Sequence, residues 1–152
     1  MNKKKLKKSL RNLKKNSLEK LFYHTYYNSS IKEDLIYIES MGGKDFSSDI
    51  LRIVEEISTG AYGNYKIYVY AREKVKARIK ELQKNYNLKI DYLSSKPSLS
   101  LVAMEKAKYI ITDGELNSRY IKRDSQIIIN TLDGSPLRKE GVDFNKKEHE
   151  IG

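Results

Sequence analysis

Between residues 34 and 131, short apolar runs alternate with amphipathic helical runs. This alternation decides what the chain can fold into. "DLIYIES" (34–40), "YKIYVYA" (65–71), "LKIDYLS" (88–94), "KYIIT" (108–112) and "QIIINT" (126–131) have strand length. Most are apolar at odd and even positions alike, the pattern of strands buried on both faces of a parallel sheet. The segments between the first four have helical period. "SDILRIVEEIS" (48–58) puts Ile50, Ile53, Val54 and Ile57 on one face. "REKVKARIKELQKNYN" (72–87) does the same with Val75, Ile79 and Leu82. After the turn marked by Pro97, "SLSLVAMEKA" (98–107) offers Leu99, Val102, Ala103 and Ala107. "DGELNSRYIKRDS" (113–125) reads as a loop. Repeated strand–helix alternation predicts a Rossmann-like α/β domain, a mostly parallel sheet covered by helices. Ligands of such sheets bind beyond the carboxyl ends of the strands. Two glycine-bearing turns, "MGGK" after the first strand and "LDGSP" after the fifth, are placed there.

At 152 residues the chain has the size of one domain. It has no cysteine, which removes disulfide and thiol chemistry. No stretch approaches the ~20 apolar residues of a spanning helix, and no apolar core of a secretory signal is present. The expected place is therefore the cytosol. The net charge of +10 is concentrated. Residues 1–20 hold nine Lys or Arg and one acid, Glu19, whereas the other 132 residues hold 21 bases and 19 acids. In the segment 1–27, Leu6, Leu10, Leu13 and Leu21 recur at helical spacing among lysines. This is a basic amphipathic helix suited to an anionic membrane surface. A solvated helix packed on the domain is the plainer reading of the same pattern. Nucleic acid is not an expected partner, because the body lacks a matching basic face with interleaved aromatics.

Common chemical motifs are missing. There is no GxGxxG, no GxxxxGK[ST] and no GxSxG. His24 and His149 have no metal-ligand spacing, so neither a metal nor a cofactor is expected. One stretch stands out, "NTLDGSPLRKEG" (130–141). Ser135 is a candidate N-cap and Pro136 a candidate first helical residue. The free N–H groups of such a turn attract anions. Asp133, at its mouth, is open to three readings: a base, an anion-repelling substitution or a turn residue.

Two segments resemble the bacterial CDP-glycerol glycerophosphotransferases of teichoic acid synthesis. "AKYIITDGELNSRYIKRDSQIIINTLDGSPLRKEGVD" (107–143) is similar to the family's A-K-Y-W-I-T-N stretch, its T-W-H-G-T-P-L-K strand end and its L-G-x-D. Ala107, Lys108, Tyr109, Ile111, Thr112, Lys122, Arg123, Thr131, Gly134, Pro136, Leu137, Gly141 and Asp143 carry this match. "IYIESMGGKDFSSD" (36–49) is similar to the family's F-E-S-F-H-G-K-x-Y-S-D-N, through Glu39, Ser40, Gly43, Lys44 and Ser47. The resemblance covers residues 31–145, leaving 146–152 as a polar tail.

The resemblance implies the N-terminal domain of a GT-B-like pair on the cytoplasmic face of the membrane. It implies transfer of glycerol phosphate from CDP-glycerol to a lipid-linked acceptor, with CMP released. It also points to Gly134, Ser135, Pro136, Arg138, Lys139, Gly43 and Lys44 as substrate-binding residues, and places Asp133 at the catalytic position. Three departures qualify it. Leu132–Asp133 stands where the family has Trp-His, Gly42 replaces the histidine of the first loop, and the sequence stops at Gly152 before a nucleotide-binding domain. The chain alone is therefore expected to be inactive, with the nucleotide domain supplied by another polypeptide. The alternative expectation is a non-catalytic membrane-associated scaffold for an anionic polymer or a partner enzyme.

Overall fold

The computed structural model describes residues 28–46, 48–93, 97–116 and 120–131, with residues 17, 20, 21, 24 and 26 of the N-terminal segment. Five strands, β1 (Lys32–Glu39), β2 (Lys66–Tyr70), β3 (Ile90–Leu93), β4 (Ala107–Thr112) and β5 (Ile127–Asn130), form one sheet in the order β3-β2-β1-β4-β5. All four pairings are parallel. Three helices cross between strands: α1 (Ser48–Ser58), α2 (Glu73–Asn85) and α3 (Pro97–Lys106). This is the expected Rossmann-like α/β architecture, consistent with the N-terminal domain of a GT-B protein. The N-terminal residues 17, 20, 21, 24, 26 and 28 are helical.

The two-residue period of β1 builds two cores at once. Ile36 and Ile38 point to one face, where Ile50 and Val54 of α1 and Val75 and Ile79 of α2 cover them. Leu35 and Tyr37 point to the other, against Ala103 and Met104 of α3. Each large aliphatic side chain so buried contributes about 1.5–3 kcal/mol of transfer free energy. Two crossovers thus run on one face and the third on the opposite face. The chain leaves β1 toward β2 and β3, then returns past β1 to β4. The sheet reverses its winding between β1 and β4, and at such a point the connections leave in opposite directions and open a crevice.

Two expectations about burial need correction. In α3, Leu99 is 47% exposed, while Ser100, Leu101, Ala103, Met104 and Glu105 are buried. The helix is turned by about one position because β1 presents the Tyr37 hydroxyl to Ser100, 2.6 Å away. Apolar spacing alone cannot register such a polar contact. Nor is β5 covered on both sides. Ile127 and Ile129 are 45% and 43% exposed. Their strand is the last in the sheet, and α1 and α2 pack over the other half. Pro97 opens α3 at the position where its missing N–H costs nothing.

Candidate functional site

The last register pair across the reversal is Glu39 of β1 with Thr112 of β4. One residue further, Ser40 Oγ donates to Asp113 Oδ2 at 2.6 Å, and the Met41 N–H donates to Asp113 Oδ1 at 2.7 Å. Asp113 thereby holds a tight turn, Met41–Gly43. The φ values of Met41, Gly42 and Gly43 are +46°, +61° and +74°, three left-handed residues in succession. For Met41 that conformation costs about 1–2 kcal/mol. The two hydrogen bonds to Asp113 offset it, since bonds to a charged acceptor contribute about 1.5–3 kcal/mol each.

Gly43 is fixed by packing as well as by backbone. A Cβ there would lie 2.7 Å from the Tyr70 ring and 3.2 Å from the Ala71 Cα. Its N–H donates to the Ser40 carbonyl at 2.8 Å, and its carbonyl accepts the Arg72 N–H at 2.7 Å. Arg72 Nε also reaches the Gly42 carbonyl at 3.3 Å. The turn after β1 is thus tied to the end of β2. Lys44 follows at the surface with its side chain exposed. Asp45 accepts the Phe46 N–H at 2.8 Å and pairs with Arg78 at 2.8 Å, closing the turn against α2.

Behind the turn, Glu39 is buried and accepts the Tyr37 hydroxyl at 2.7 Å. Tyr37 in turn accepts from Ser100 at 2.6 Å. Burial pushes the Glu39 carboxyl up, the Tyr37 hydrogen bond opposes this, and the negative charge of Asp113 adds to the rise. Burial, followed by the charge of Glu39, holds the Tyr37 phenol well above its ordinary range. The carboxyl ends of β1 and β4 are therefore acidic and rich in hydrogen-bond acceptors. Arg72 and Lys44 supply positive charge at their edge. Such a rim suits a hydroxyl-bearing group, whose O–H can be oriented or relieved of its proton. It repels a bare phosphate, which the edge bases favour.

On the other flank, the Thr131 N–H donates to the Thr112 carbonyl at 2.9 Å. Thr112 Oγ1 accepts the Gly114 N–H at 3.1 Å. The chain that follows β5 thus departs from the same rim. Among the expected site residues, Gly43 and Lys44 stand at this rim. Asp133, Gly134, Ser135, Pro136, Arg138 and Lys139 lie outside the described residues, beginning two positions past Thr131. Asp113 was not anticipated as a site residue. Its signal was present in an acid followed by glycine at the carboxyl end of a strand, but only the strand order places it beside Ser40.

The strand order and the helices on both faces define a Rossmann-like domain, consistent with the N-terminal domain of a GT-B protein. The chain belongs to the CDP-Glycerol:Poly(glycerophosphate) glycerophosphotransferase family, whose profile matches residues 21–151. Among solved structures it is similar to a variant of the wall teichoic acid polymerase TagF, with a TM-score of 0.65 and 20% identity. It is also similar to TagF itself, with a TM-score of 0.62 and 18% identity. The same fold recurs in a TagF variant soaked with CDPG, at a TM-score of 0.64 and 20% identity. Each match covers 95% of this chain and 35% of the polymerase chain, so the protein spans about a third of those relatives. No curated protein matches it.

Proposed function

We propose that this chain is the acceptor-side half of a glycerol phosphate transferase of teichoic acid synthesis. These residues span about a third of the polymerase chains they match, and transfer requires the nucleotide-binding half as well. The observation that carries the reading is the Ser40–Asp113 link, which sets an acidic rim at the reversal of the sheet, where ligands of such folds bind. In the complete reaction, a hydroxyl oxygen of a lipid-linked glycerol phosphate acceptor attacks the glycerol-bearing phosphorus of CDP-glycerol. The phosphoanhydride bond breaks, CMP leaves, and the hydroxyl proton passes to a base. The rim, with Gly43 and Lys44 on it, receives the acceptor. The stretch Gly134, Ser135, Pro136, Arg138 and Lys139 contributes phosphate contacts through free N–H groups and positive charge.

Asp133 occupies the position of the base. A carboxylate with an ordinary pKa near 4 is a weaker base than imidazole at neutral pH. It also opposes the approach of phosphate, and this supports low activity even in a completed enzyme. The leucine-and-lysine pattern of residues 1–27 supports peripheral docking on the anionic inner face of the cell membrane. Among the described residues no helix is long and apolar enough to cross a membrane.

The test is transfer from CDP-glycerol to a lipid-linked acceptor by this chain joined to the nucleotide-binding half of a family member. Asp133→His in that fusion should raise the rate, and no transfer by either form would overturn the reading. The second reading, a scaffold for an anionic polymer or partner enzyme, rests on the same Leu132–Asp133 departure. It predicts polymer or enzyme binding by the unfused chain with no gain from Asp133→His.

A further inference from the structure

At the opposite, amino-terminal end of the sheet, a second polar cluster surrounds the junction of α3 and β4. Glu105, in the last turn of α3, is 0% exposed, and among the described residues neither carboxylate oxygen has a hydrogen-bond partner. An isolated buried carboxylate is costly when ionised. Burial pushes the Glu105 carboxyl up to about 7, and the positive charge of Arg123 pulls the other way. Tyr120 faces the same space, its phenol raised first by burial and then by Glu105.

Arg123 has a second set of contacts. Its Nη1 donates to the Ser29 carbonyl at 2.7 Å, and its guanidinium carbon lies 5.0 Å from the centre of the Tyr26 ring. Both residues belong to the segment that leads into β1. The loop bearing Arg123 is held in place by buried Gln126. Gln126 Oε1 accepts the Tyr120 hydroxyl at 2.7 Å and the Arg123 N–H at 3.1 Å. Gln126 Nε2 donates to the carbonyls of Met104 at 2.9 Å and Ala107 at 2.7 Å. Gln126 Nε2 also reaches the Glu105 carbonyl at 3.5 Å, so one side chain joins the loop of Arg123 to the turn that carries Glu105, while the Arg123 guanidinium holds the entry segment. Among the described residues, the ionisable groups that act on the Glu105 carboxyl or are acted on by it are Arg123 and Tyr120. Lys108 of β4 is engaged by Glu33 of β1 at 2.9 Å, and His24 of the entry segment is bonded to Asn28 at 3.3 Å.

We propose that Glu105 and Arg123 form a proton-operated latch on the segment that precedes β1. While Glu105 keeps its proton, Arg123 stays on Ser29 and Tyr26. When the proton leaves to water, the new carboxylate draws the guanidinium inward and the entry segment loosens. The latch stands independently of the transferase reading.

Hydrogen–deuterium exchange of the full chain between about pH 5.5 and 8.5, corrected for intrinsic rates, tests it. Protection of the peptide spanning residues 22–31 should fall about tenfold in one proton step, the scale of losing one charge-assisted hydrogen bond. Glu105→Gln should keep the low-pH protection throughout. Arg123→Gln should lose it at every pH, and His24→Gln should leave the step in place. A step that persists in Glu105→Gln, or a flat wild-type profile, overturns the latch. If Glu105→Gln does not fold, carboxyl-carbon NMR of the wild type decides instead. A Glu105 midpoint near 7 supports the proposal, and one near the ordinary glutamate value refutes it.

Discussion

Ser40 and Asp113, 73 residues apart in sequence, meet at 2.6 Å across β1 and β4, the strands between which the sheet reverses its winding. The contact joins the turn after β1 to the turn after β4. Asp113→Ala removes an acceptor from both the Ser40 hydroxyl and the Met41 N–H. We expect a loss of roughly 2–4 kcal/mol in urea unfolding, since buried donors left unmatched cost about 1–3 kcal/mol each. Ser40→Ala, which leaves the Met41 bond intact, should cost roughly 1 kcal/mol. Equal losses for the two variants would show that the backbone bond is not the dominant one.

The two glycines of the turn make a second comparison. Gly42→Ala places its Cβ in open space, so only the left-handed φ is penalised, about 1 kcal/mol. Gly43→Ala adds a collision with the Tyr70 ring and should cost about 1–3 kcal/mol more. Tyr70→Leu in the Gly43→Ala background should recover part of that increment in thermal unfolding. No recovery would mean that the Ala71 backbone, not the ring, sets the limit.

Stability should depend on pH through Glu105. A carboxyl whose pKa is raised by folding binds its proton more tightly in the folded chain. Its stabilising contribution is full below the ordinary value of 4.5 and is lost as pH rises through about 7. Across that window the wild type should lose roughly 2–3 kcal/mol relative to Glu105→Gln. Glu39, also raised, titrates with the same sign, but it is present in both proteins and cancels in the difference. Parallel stability curves for the two proteins would contradict the assignment.

Gln126 satisfies two carbonyls with its amide N–H groups and receives two donors at its oxygen. Gln126→Leu keeps the volume and strands those partners. Chemical denaturation should show a loss of about 3–5 kcal/mol, the scale of breaking a buried polar network. A loss under 1 kcal/mol would show that the loop from Tyr120 to Arg123 can find other partners.

The membrane reading has its own measurement. Pelleting with anionic vesicles should require residues 1–27 and weaken several-fold from low to physiological salt, as expected of lysines near head groups. Equal pelleting by a chain starting at residue 28 would refute docking by this segment.

Much of the fold could be read from periodicity. The expected span 48–58 is that of α1, and β2, β3 and β5 lie within the apolar runs expected of them, whereas β1 begins two residues before its run, at Lys32, and β4 one residue before its run, at Ala107. Apolar spacing is what buries strands and helices, so it reports them well. It reports poorly where polar contacts or position in the sheet decide. "SLSLVAMEKA" reads as a helix with Leu99 on its inward face, yet Leu99 is 47% exposed and Ser100 is buried against Tyr37 instead. "QIIIN" reads like any covered strand, and only its place at the sheet edge exposes Ile127 and Ile129. At the candidate site, residue types drew attention to Gly43 and Lys44. Asp113 became visible only once strand order set β4 beside β1.

That strand order has a consequence for how the protein assembles. β1 is the first of the described strands in chain order, yet it sits in the middle of the sheet and waits for β4, encoded about seventy residues later. Local pairings of β1, β2 and β3 can form early, whereas the loop that brings β4 home must close over a long stretch of chain. The Ser40–Asp113 link at the carboxyl ends of β1 and β4 is therefore among the last features to be made. A ligand captured there reads out the completion of folding.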